Sequence, residues 1–443
     1  MNKRFGIPFL LPIGAAALLA AAPTTASAQH LDLAGAYRAA AENDPEFQAA
    51  AATRDAALES VAIARAALRP NVSFGGSATL VSDSVREPDT GSDTYSRLSL
   101  SLEASQPVYR PDRTVRLGQA RIREEKAEVD FAVRVQELID RVVERYFGVL
   151  EATDDYRFAQ TNREAIAQQL RQAQQRFEVG LIAITDVEEA KSRFDLASAR
   201  EIGAKNALDN AREAMRETIG EYPEELASLG EDLPLRIPDP ADIDEWTGTA
   251  LERNLMVRSA SFAVAIAKEG IRLAGTGGEP AIDVFGQAQA QDSNRNPVGR
   301  EDVSASVGLR LQWPFYTGGR VSAQTREARA LHREAMHMQE RARRNAVRLT
   351  RQAYLGVESA IARVGALTQA VVSSQSALDA VDAGFQVGTR TSVDVLDAQR
   401  DLFQAQNDLA AARYDYIRNA LKLRLAAGTL VADDVDTINT WLE

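Results

Sequence analysis

The chain contains two copies of one unit, and this internal repeat constrains its fold more than any other feature. Residues 176–190, RFEVGLIAITDVEEA, return as residues 384–398, GFQVGTRTSVDVLDA. Phe177 of the first copy corresponds to Phe385 of the second, 208 residues later (385 − 177 = 208), and a glycine and an aspartate in each copy keep the same spacing. Tandem units of this kind depend on each other for a core, so we expect both halves to contribute equivalent parts to one function.

The N-terminus has the pattern of an export signal. Lys3 and Arg4 form a short positive region, residues 5–22 form an apolar run, and residues 26–28 read Ala-Ser-Ala, a small-residue cleavage site. The alternative is a membrane anchor, but prolines interrupt the run, and a spanning helix needs about 20 apolar residues. The sequence therefore predicts a signal peptide over 1–28 and no later helix that crosses a membrane.

The composition argues against several classes of protein. The chain has no cysteine, which excludes a disulfide scaffold, a thiolate metal site, a cysteine nucleophile and a lipid-anchored lipoprotein. His332 and His337 are five residues apart and do not share one helix face, so we expect no metal site there. The net charge of −12 argues against nucleic acid as a partner. Because no nucleophile–base set or glycine-rich phosphate loop is present, we predict no enzymatic activity and no cofactor.

Two long helical hairpins dominate the prediction. Residues 112–177 contain no proline, and their apolar residues recur at the three-and-four spacing of an amphipathic helix. A glycine-containing break then separates this helix from its partner, which gives a hairpin over 112–219 and a second one over 320–427. Thr185 and Glu188 have the spacing of a capping box at the start of the first return helix. At about 1.5 Å per residue, each hairpin is a rod near 100 Å long.

Four shorter segments alternate apolar and polar residues, as strands do. They form one pair at 71–83 and 95–106 and a second pair at 281–291 and 303–313. Strands of about 10 residues have the length needed to cross a bilayer at a tilt. Two strand pairs cannot close a barrel, and an open sheet in lipid leaves backbone groups unpaired. Either the sheet is soluble, or several chains close it together; three chains would supply twelve strands.

The same patterns divide the chain into five parts. Four prolines between 223 and 240 mark a connector between the halves. The predicted parts are the signal peptide 1–28, repeat 1 at 29–223, the connector 224–240, repeat 2 at 241–430 and a C-terminal tail at 431–443.

The two breaks carry the most specific motifs of the chain. Residues 179–187 read VGLIAITDV, and residues 387–397 read VGTRTSVDVLD. Each lies between long helices, at the spacing of the repeat. In these residues, and over about 30–430 as a whole, the chain resembles the TolC family of outer-membrane efflux and secretion channels.

This resemblance implies a fold, a location and a set of partners. The fold would be mainly α with a transmembrane β portion: a homotrimer whose twelve-stranded β-barrel lies in the lipid of a Gram-negative outer membrane. A twelve-helix coiled-coil α-barrel would continue it into the periplasm. The breaks would form the periplasmic tip, which docks on a periplasmic adaptor (membrane fusion) protein working with an inner-membrane pump or ABC transporter. The adaptor-docking residues would be Val179, Gly180, Leu181, Val387, Gly388 and Thr389.

The resemblance also assigns a channel constriction. Asp394 and Asp397 stand three residues apart at a helix start, so their carboxylates share one face. Read alone, acidic residues in a first helical turn simply suit the helix dipole. In a trimer, the family pattern would turn them into two stacked carboxylate rings, which attract cations and raise the pKa of their own members.

A gate latch is the second assignment that the resemblance provides. Arg390 would bond to Thr185 or Asp186 across neighbouring hairpins, although the residues alone are also compatible with a solvated arginine. Phe385 stands where well-known members carry a tyrosine, so the phenol hydrogen bond of their latch is missing here. We therefore expect closure to depend more on Arg390 and on packing.

Two other functional readings remain at this point. Within the family, nothing in the sequence separates small-molecule efflux from protein secretion. Outside it, the chain could be a periplasmic coiled-coil adaptor with a soluble β-domain, although such adaptors usually carry one central hairpin rather than two in tandem. The exported substrate, the particular adaptor and pump, and the number of chains do not follow from the residues.

Overall fold

The computed structural model describes residues 30–84, 92–230, 232–293 and 302–443, so the predicted signal peptide lies outside the described residues. Within them the chain forms nine α-helices and four strands. In chain order these are α1 (Leu33–Asn43), α2 (Pro45–Ala66), β1 (Asn71–Ser84), β2 (Ser92–Tyr109), α3 (Pro111–Glu178), α4 (Ile184–Ile219), α5 (Ile243–Arg253), α6 (Leu255–Gly275), β3 (Ala281–Ser293), β4 (Asp302–Gln312), α7 (Arg320–Gln386), α8 (Ser392–Ala427) and α9 (Ala432–Asn439).

Each half uses the same order of elements. Two short helices lead into an antiparallel strand pair, and a helix of 68 or 67 residues then pairs with a return helix of 36 residues. Both return helices end at a left-handed glycine, Gly220 with φ 84° and Gly428 with φ 74°. Residues that suit a helix start mark the beginning of both long helices. α3 has Pro111 in its first turn, and Gly319, at φ 84°, precedes α7.

Two expectations about helix ends need correction. The capping box predicted at Thr185 and Glu188 is wrong, because α4 starts one residue earlier, at Ile184, after Ala183, and no side chain caps it. The C-terminal segment, expected as a tail, contains α9 and then pairs with the connector. The backbone N–H of Glu443 donates to Ser228 O at 2.9 Å, and Ser228 N donates back at 3.0 Å.

A further correction concerns apolar helical stretches. α7 contains an 18-residue window with a mean hydropathy of 1.2, which is apolar enough by length and composition to cross a membrane. From the sequence we expected no such stretch after the signal peptide. This window belongs to a 67-residue helix that packs against α8. Its apolar residues are therefore those of a helical hairpin.

The four strands form one open antiparallel sheet in the order β1-β2-β3-β4. Residues paired across the strands share a face, and Phe74, Leu102 and Ala288 follow one another in this way. The central part of the resulting face is apolar, although Ser96, Gln106 and Asp292 also lie on this face. The opposite face carries mostly Ser, Thr and Gln. The apolar face includes Val72, Phe74, Ala78, Leu80, Leu98, Leu100, Leu102, Val284, Ala288, Ala290, Val303, Val307, Leu309 and Leu311.

The main hydrophobic core lies where the short helices meet the long hairpins. Tyr146 and Phe147 of α3 are fully buried there, beside Ile417 of α8. The Tyr146 hydroxyl donates to Leu31 O at 3.1 Å and to Ala227 O at 2.8 Å, and burial raises the pKa of Tyr146. This tyrosine therefore joins α3 to the segment before α1 and to the connector. Toward the hairpin ends only two small buried clusters remain, so the ends are less firmly packed than the middle.

Candidate functional site at the hairpin tips

The two hairpins turn in the same way at their ends. Gly180 has φ 76° and Gly388 has φ 81°, and each donates its N–H to the phenylalanine three residues earlier, at 2.9 and 3.1 Å. An added Cβ at either glycine would meet nothing within 4 Å. The left-handed backbone rather than lack of space therefore requires glycine at these positions.

Both turns expose apolar side chains. Val179 is 70% exposed, Leu181 is 73% exposed and Val387 is 76% exposed. Neighbouring exposed apolar residues on a small surface are typical of contact sites for other molecules. The residues predicted for docking are all exposed at the two tips: Val179, Gly180, Leu181, Val387, Gly388 and Thr389.

Asp394 is part of a capping box that the sequence analysis missed. Its carboxylate accepts hydrogen bonds from Thr391 N at 2.9 Å and from Thr391 Oγ1 at 3.0 Å, and its own N–H donates to Thr391 Oγ1 at 3.2 Å. The bond from the backbone N–H, followed by the hydroxyl, lowers the pKa of Asp394. Within one chain, the direction is thus opposite to the raised pKa expected from stacked carboxylates.

Asp397 lies one turn further along α8, and it is paired rather than open. Its Oδ1 accepts a hydrogen bond from Nη1 of Arg193 in α4 at 2.6 Å, and Arg400 Nη1 lies 3.5 Å away. Nη2 of the same Arg193 donates to Glu189 Oε1 at 3.0 Å. The hydrogen bond to Asp397 raises the pKa of Arg193. One guanidinium therefore bridges two carboxylates that belong to different hairpins.

The predicted latch is not formed within one chain. Among the described residues, no hydrogen bond or ion pair joins the Arg390 side chain to Thr185 or Asp186. The ring of Phe385 instead lies against Arg176, with the guanidinium carbon 4.4 Å from the ring centroid. This contact joins the end of α7 to the end of α3. A phenyl ring serves it as well as a phenol, because the attraction is to the ring face.

No group of three or more metal-ligating side chains occurs in the described part of the chain. The chemistry at the tips is thus that of arginines, carboxylates and exposed apolar residues. Such a set can attract or repel ions and hold helices together.

Comparison with known proteins agrees with the repeat. The family model "Outer membrane efflux protein" matches the chain twice, over 36–221 and over 246–429. The chain belongs to the outer membrane efflux protein family. Among its relatives, "Outer membrane protein TolC" of Vibrio cholerae is 37% identical over 440 residues, which cover 98% of both chains. "Alkaline protease secretion protein AprF" of Pseudomonas aeruginosa is 29% identical, over 92% of this chain and 86% of the relative.

A solved structure shares the fold of this efflux-family chain. The Campylobacter jejuni CmeC outer membrane channel superposes with a TM-score of 0.78 over 93% of this chain and 90% of its own, at 14% identity. Family membership and these relatives identify the chain as an outer-membrane exit duct for efflux or type I secretion. They do not favour the alternative of a periplasmic adaptor.

The structure of this efflux-family member shows two further tip residues, Arg176 and Arg193, that join the hairpins and that were not predicted from the sequence. Arg176 and Arg193 contact residues that are 209 and 204 positions away (385 − 176 and 397 − 193), so no local pattern could identify them. The internal repeat alone indicated part of this site, namely the two acids that Arg193 binds. Glu189 and Asp397 are 208 residues apart and thus occupy equivalent positions, which marks both acids as tip residues.

Proposed function

We propose that three copies of the chain close a twelve-stranded barrel in the outer membrane. The observation that carries the proposal is the open four-stranded sheet with one predominantly apolar face. Strands β1 and β4 form its edges and have no partner strand within the described chain. Edges exposed to lipid leave N–H and C=O groups unsatisfied, at a cost of several kcal/mol each. Pairing β1 of one copy with β4 of the next removes every edge.

Aromatic residues support the membrane position of this sheet. Trp313 is 58% exposed, and Phe315 and Tyr316 are 86% and 84% exposed, just after β4. Tyr109 is 47% exposed at the end of β2. All four lie at the end of the sheet that leads into the long helices. Aromatic girdles of this kind mark the interfaces of membrane barrels, so we assign this end to the periplasmic interface.

The helical hairpins would form the periplasmic part of the duct. Each chain contributes α3, α4, α7 and α8, and three chains therefore supply twelve helices. Large apolar side chains are exposed on these helices in the single chain, such as Leu196 at 64%, Ile202 at 71% and Leu355 at 56%. Packing between copies would bury side chains of this kind.

The tips would form the gate and the docking site. Asp394 and Asp397 are the proposed constriction, and Arg390 is the proposed contact to Thr185 or Asp186 of a neighbouring chain. In one chain Arg390 is exposed, which leaves it available for that contact. A single exposed ion pair contributes about 0–1 kcal/mol, so three copies form a latch that partner docking can release.

The barrel arrangement can be tested by cross-linking, because the chain has no native cysteine. Ser77→Cys in β1 is combined with Ser304→Cys or Ser306→Cys in β4, all on the polar face of the sheet. We expect oxidation to give covalent dimers and trimers and nothing larger. Ser77→Cys with Ala305→Cys is the control, because residue 305 lies on the opposite face. Monomers alone, or ladders beyond three chains, would refute the closed trimer.

The channel itself is tested by conductance across a planar bilayer. We expect the purified mature protein to give small, discrete, cation-selective steps that a trivalent cation blocks from the periplasmic side. Asp394→Asn should raise the blocking concentration. A protein that leaves the bilayer non-conducting would refute the duct.

The class of exported substrate has two candidates. We propose that the duct serves either a tripartite efflux pump or a type I secretion system, with a periplasmic adaptor and an inner-membrane pump or ABC transporter. A family model named for efflux and a relative named for protease secretion both match the chain. A strain that lacks the chain separates them: accumulation of dyes and detergents indicates efflux, and loss of one extracellular protein indicates secretion.

A further inference from the structure

Arg193 makes a bridge that joins the two repeats beside the proposed constriction. Its guanidinium binds Asp397 of α8 at 2.6 Å and Glu189 of its own helix at 3.0 Å. The arginine side chain is 24% exposed, and the two acids are 41% and 45% exposed. The arginine is thus the most enclosed member of a three-residue charge cluster.

The repeat shows that this bridge has no second copy. Glu189 and Asp397 are equivalent positions, since 397 − 189 = 208. The position equivalent to Arg193 is Asp401, since 193 + 208 = 401, so the charge there is reversed. Asp401 binds the adjacent Arg400 at 3.1 Å. Each chain therefore has one arginine that holds the equivalent acids of both repeats.

Packing around the bridge is sparse. The nearest buried cluster consists of Ile166, Ala197 and Leu396, with Phe194 against it. Few apolar contacts therefore hold α4 to α8 at this level. The charged bridge therefore supplies a larger share of the contacts between the two hairpins here than an ion pair would supply in the main core.

We propose that Arg193 is a specificity-determining residue of the gate, which compensates Asp397 so that Asp394 is the main open carboxylate of the resting constriction. This inference rests on the proposed channel function. The proposed trimer would then have one ring of uncompensated Asp394 carboxylates and one ring of Asp397 carboxylates that Arg193 neutralises, instead of two equal acidic rings. A cation that approaches the closed tip would then meet about half of the negative charge that the aspartate spacing alone suggests.

The test compares the trivalent-cation block of three channel variants with that of the wild type. Arg193→Gln removes the cation that binds Asp397 at 2.6 Å and Glu189 at 3.0 Å in every copy, and leaves only the longer contact of Asp397 to Arg400, at 3.5 Å. Even after screening by salt, we expect the blocking concentration to fall about tenfold. Arg200→Gln is the matched control: this exposed arginine lies two turns further along α4 and, among the described residues, has no ion pair. The blocking concentration of the trivalent cation for Arg200→Gln should stay within about twofold of the wild-type value.

The double variant Arg193→Gln/Asp397→Asn separates charge from structure. Its net charge equals that of the wild type, so we expect the blocking concentration to return to within about twofold of the wild-type value. If Arg193 only supported the fold, the double variant would be at least as disturbed as the single one. Arg193→Lys retains the charge but not the two-armed geometry, and it should give an intermediate value if Arg193→Gln fails to assemble.

Different results would refute the proposed channel and the proposed role of Arg193. A wild-type protein that forms no channels refutes the proposed function and this inference together. Wild-type channels in which Asp394→Asn weakens the block, but Arg193→Gln behaves like Arg200→Gln, refute the role of Arg193 alone. A double variant that is blocked as tightly as Arg193→Gln also refutes it, because the freed charge would then not be that of Asp397.

Discussion

Replacing Phe385 tests whether a ring contact holds the closed tip together. The Phe385 ring lies 4.4 Å from the guanidinium carbon of Arg176 and joins the end of α7 to the end of α3. Phe385→Leu keeps an apolar side chain but removes the aromatic face. Phe177, the equivalent residue of the first repeat, is 41% exposed and contacts no cation among the described residues. Phe177→Leu is therefore a control with the same chemistry in the same type of turn.

The size of the effect follows from the number of contacts. A cation–π contact at a partly exposed site contributes about 0.5–1 kcal/mol. In a trimer three such contacts would act on one gate, which gives about 1.5–3 kcal/mol. Each 1.4 kcal/mol is a factor of ten, so the ratio of closed to open channels should fall roughly 10- to 150-fold.

Single-channel recordings in planar bilayers measure this ratio directly. We expect Phe385→Leu to have a higher open probability than the wild type, whereas Phe177→Leu should match the wild type. Phe385→Tyr keeps the ring face and should also remain closed. Equal open probabilities for the two leucine variants would show that the contact to Arg176 does not hold the gate.

Three further predictions concern helix ends and the latch. Gly428→Ala should lower the free energy of unfolding by about 2–5 kcal/mol and Gly220→Ala by about 1–2 kcal/mol, measured by the loss of helical circular dichroism in denaturant. The reason is that a Cβ at 428 lies 2.5 Å from a backbone oxygen, whereas one at 220 lies 3.0 Å from a side chain. Thr391→Ala removes a hydrogen bond that lowers the pKa of Asp394, so as pH falls the trivalent-cation block should disappear at a higher pH than in the wild type. Arg390→Ala should raise the resting conductance, and an unchanged conductance would contradict the proposed contact between chains.

The regular elements could be read from the sequence because their signals are local and repeated. Strand β1 spans Asn71–Ser84 where alternation predicted 71–83, and the long helices begin and end within two residues of the predicted hairpins. Periodicity over tens of residues averages out single exceptions. The polar and apolar faces of the sheet follow from the same alternation. This part of the fold needed no knowledge of distant contacts.

The helix starts at the tips were harder to predict from the sequence, because a few local contacts determine each of them and only α8 has a side-chain cap. Thr185 and Glu188 have the spacing of a capping box, yet α4 starts after Ala183. The repeat offset would have corrected this, since 183 + 208 = 391 and Thr391 is the residue that caps α8. Arg193 could not be placed at all, because its partner is set by how two hairpins pack and not by any spacing within either one.

The differences between the two repeats explain how a gate can arise from duplicated parts. Three of the arginines near the tips correspond to residues that are not basic in the other repeat: Arg176 to Gly384, Arg193 to Asp401, and Arg390 to Ile182. Arg176 and Arg193 bind residues of the same chain, so they tie its two hairpins to each other. Among the described residues Arg390 has no such partner, and in the proposed trimer it would be available to a neighbouring chain. In the proposed trimer, the two hairpins of each chain would then move as one unit. A docking partner would need to separate three interfaces between chains rather than six between hairpins. The loss of one internal tie, as in Phe385→Leu, should loosen the gate because it lets the two hairpins of a chain move separately.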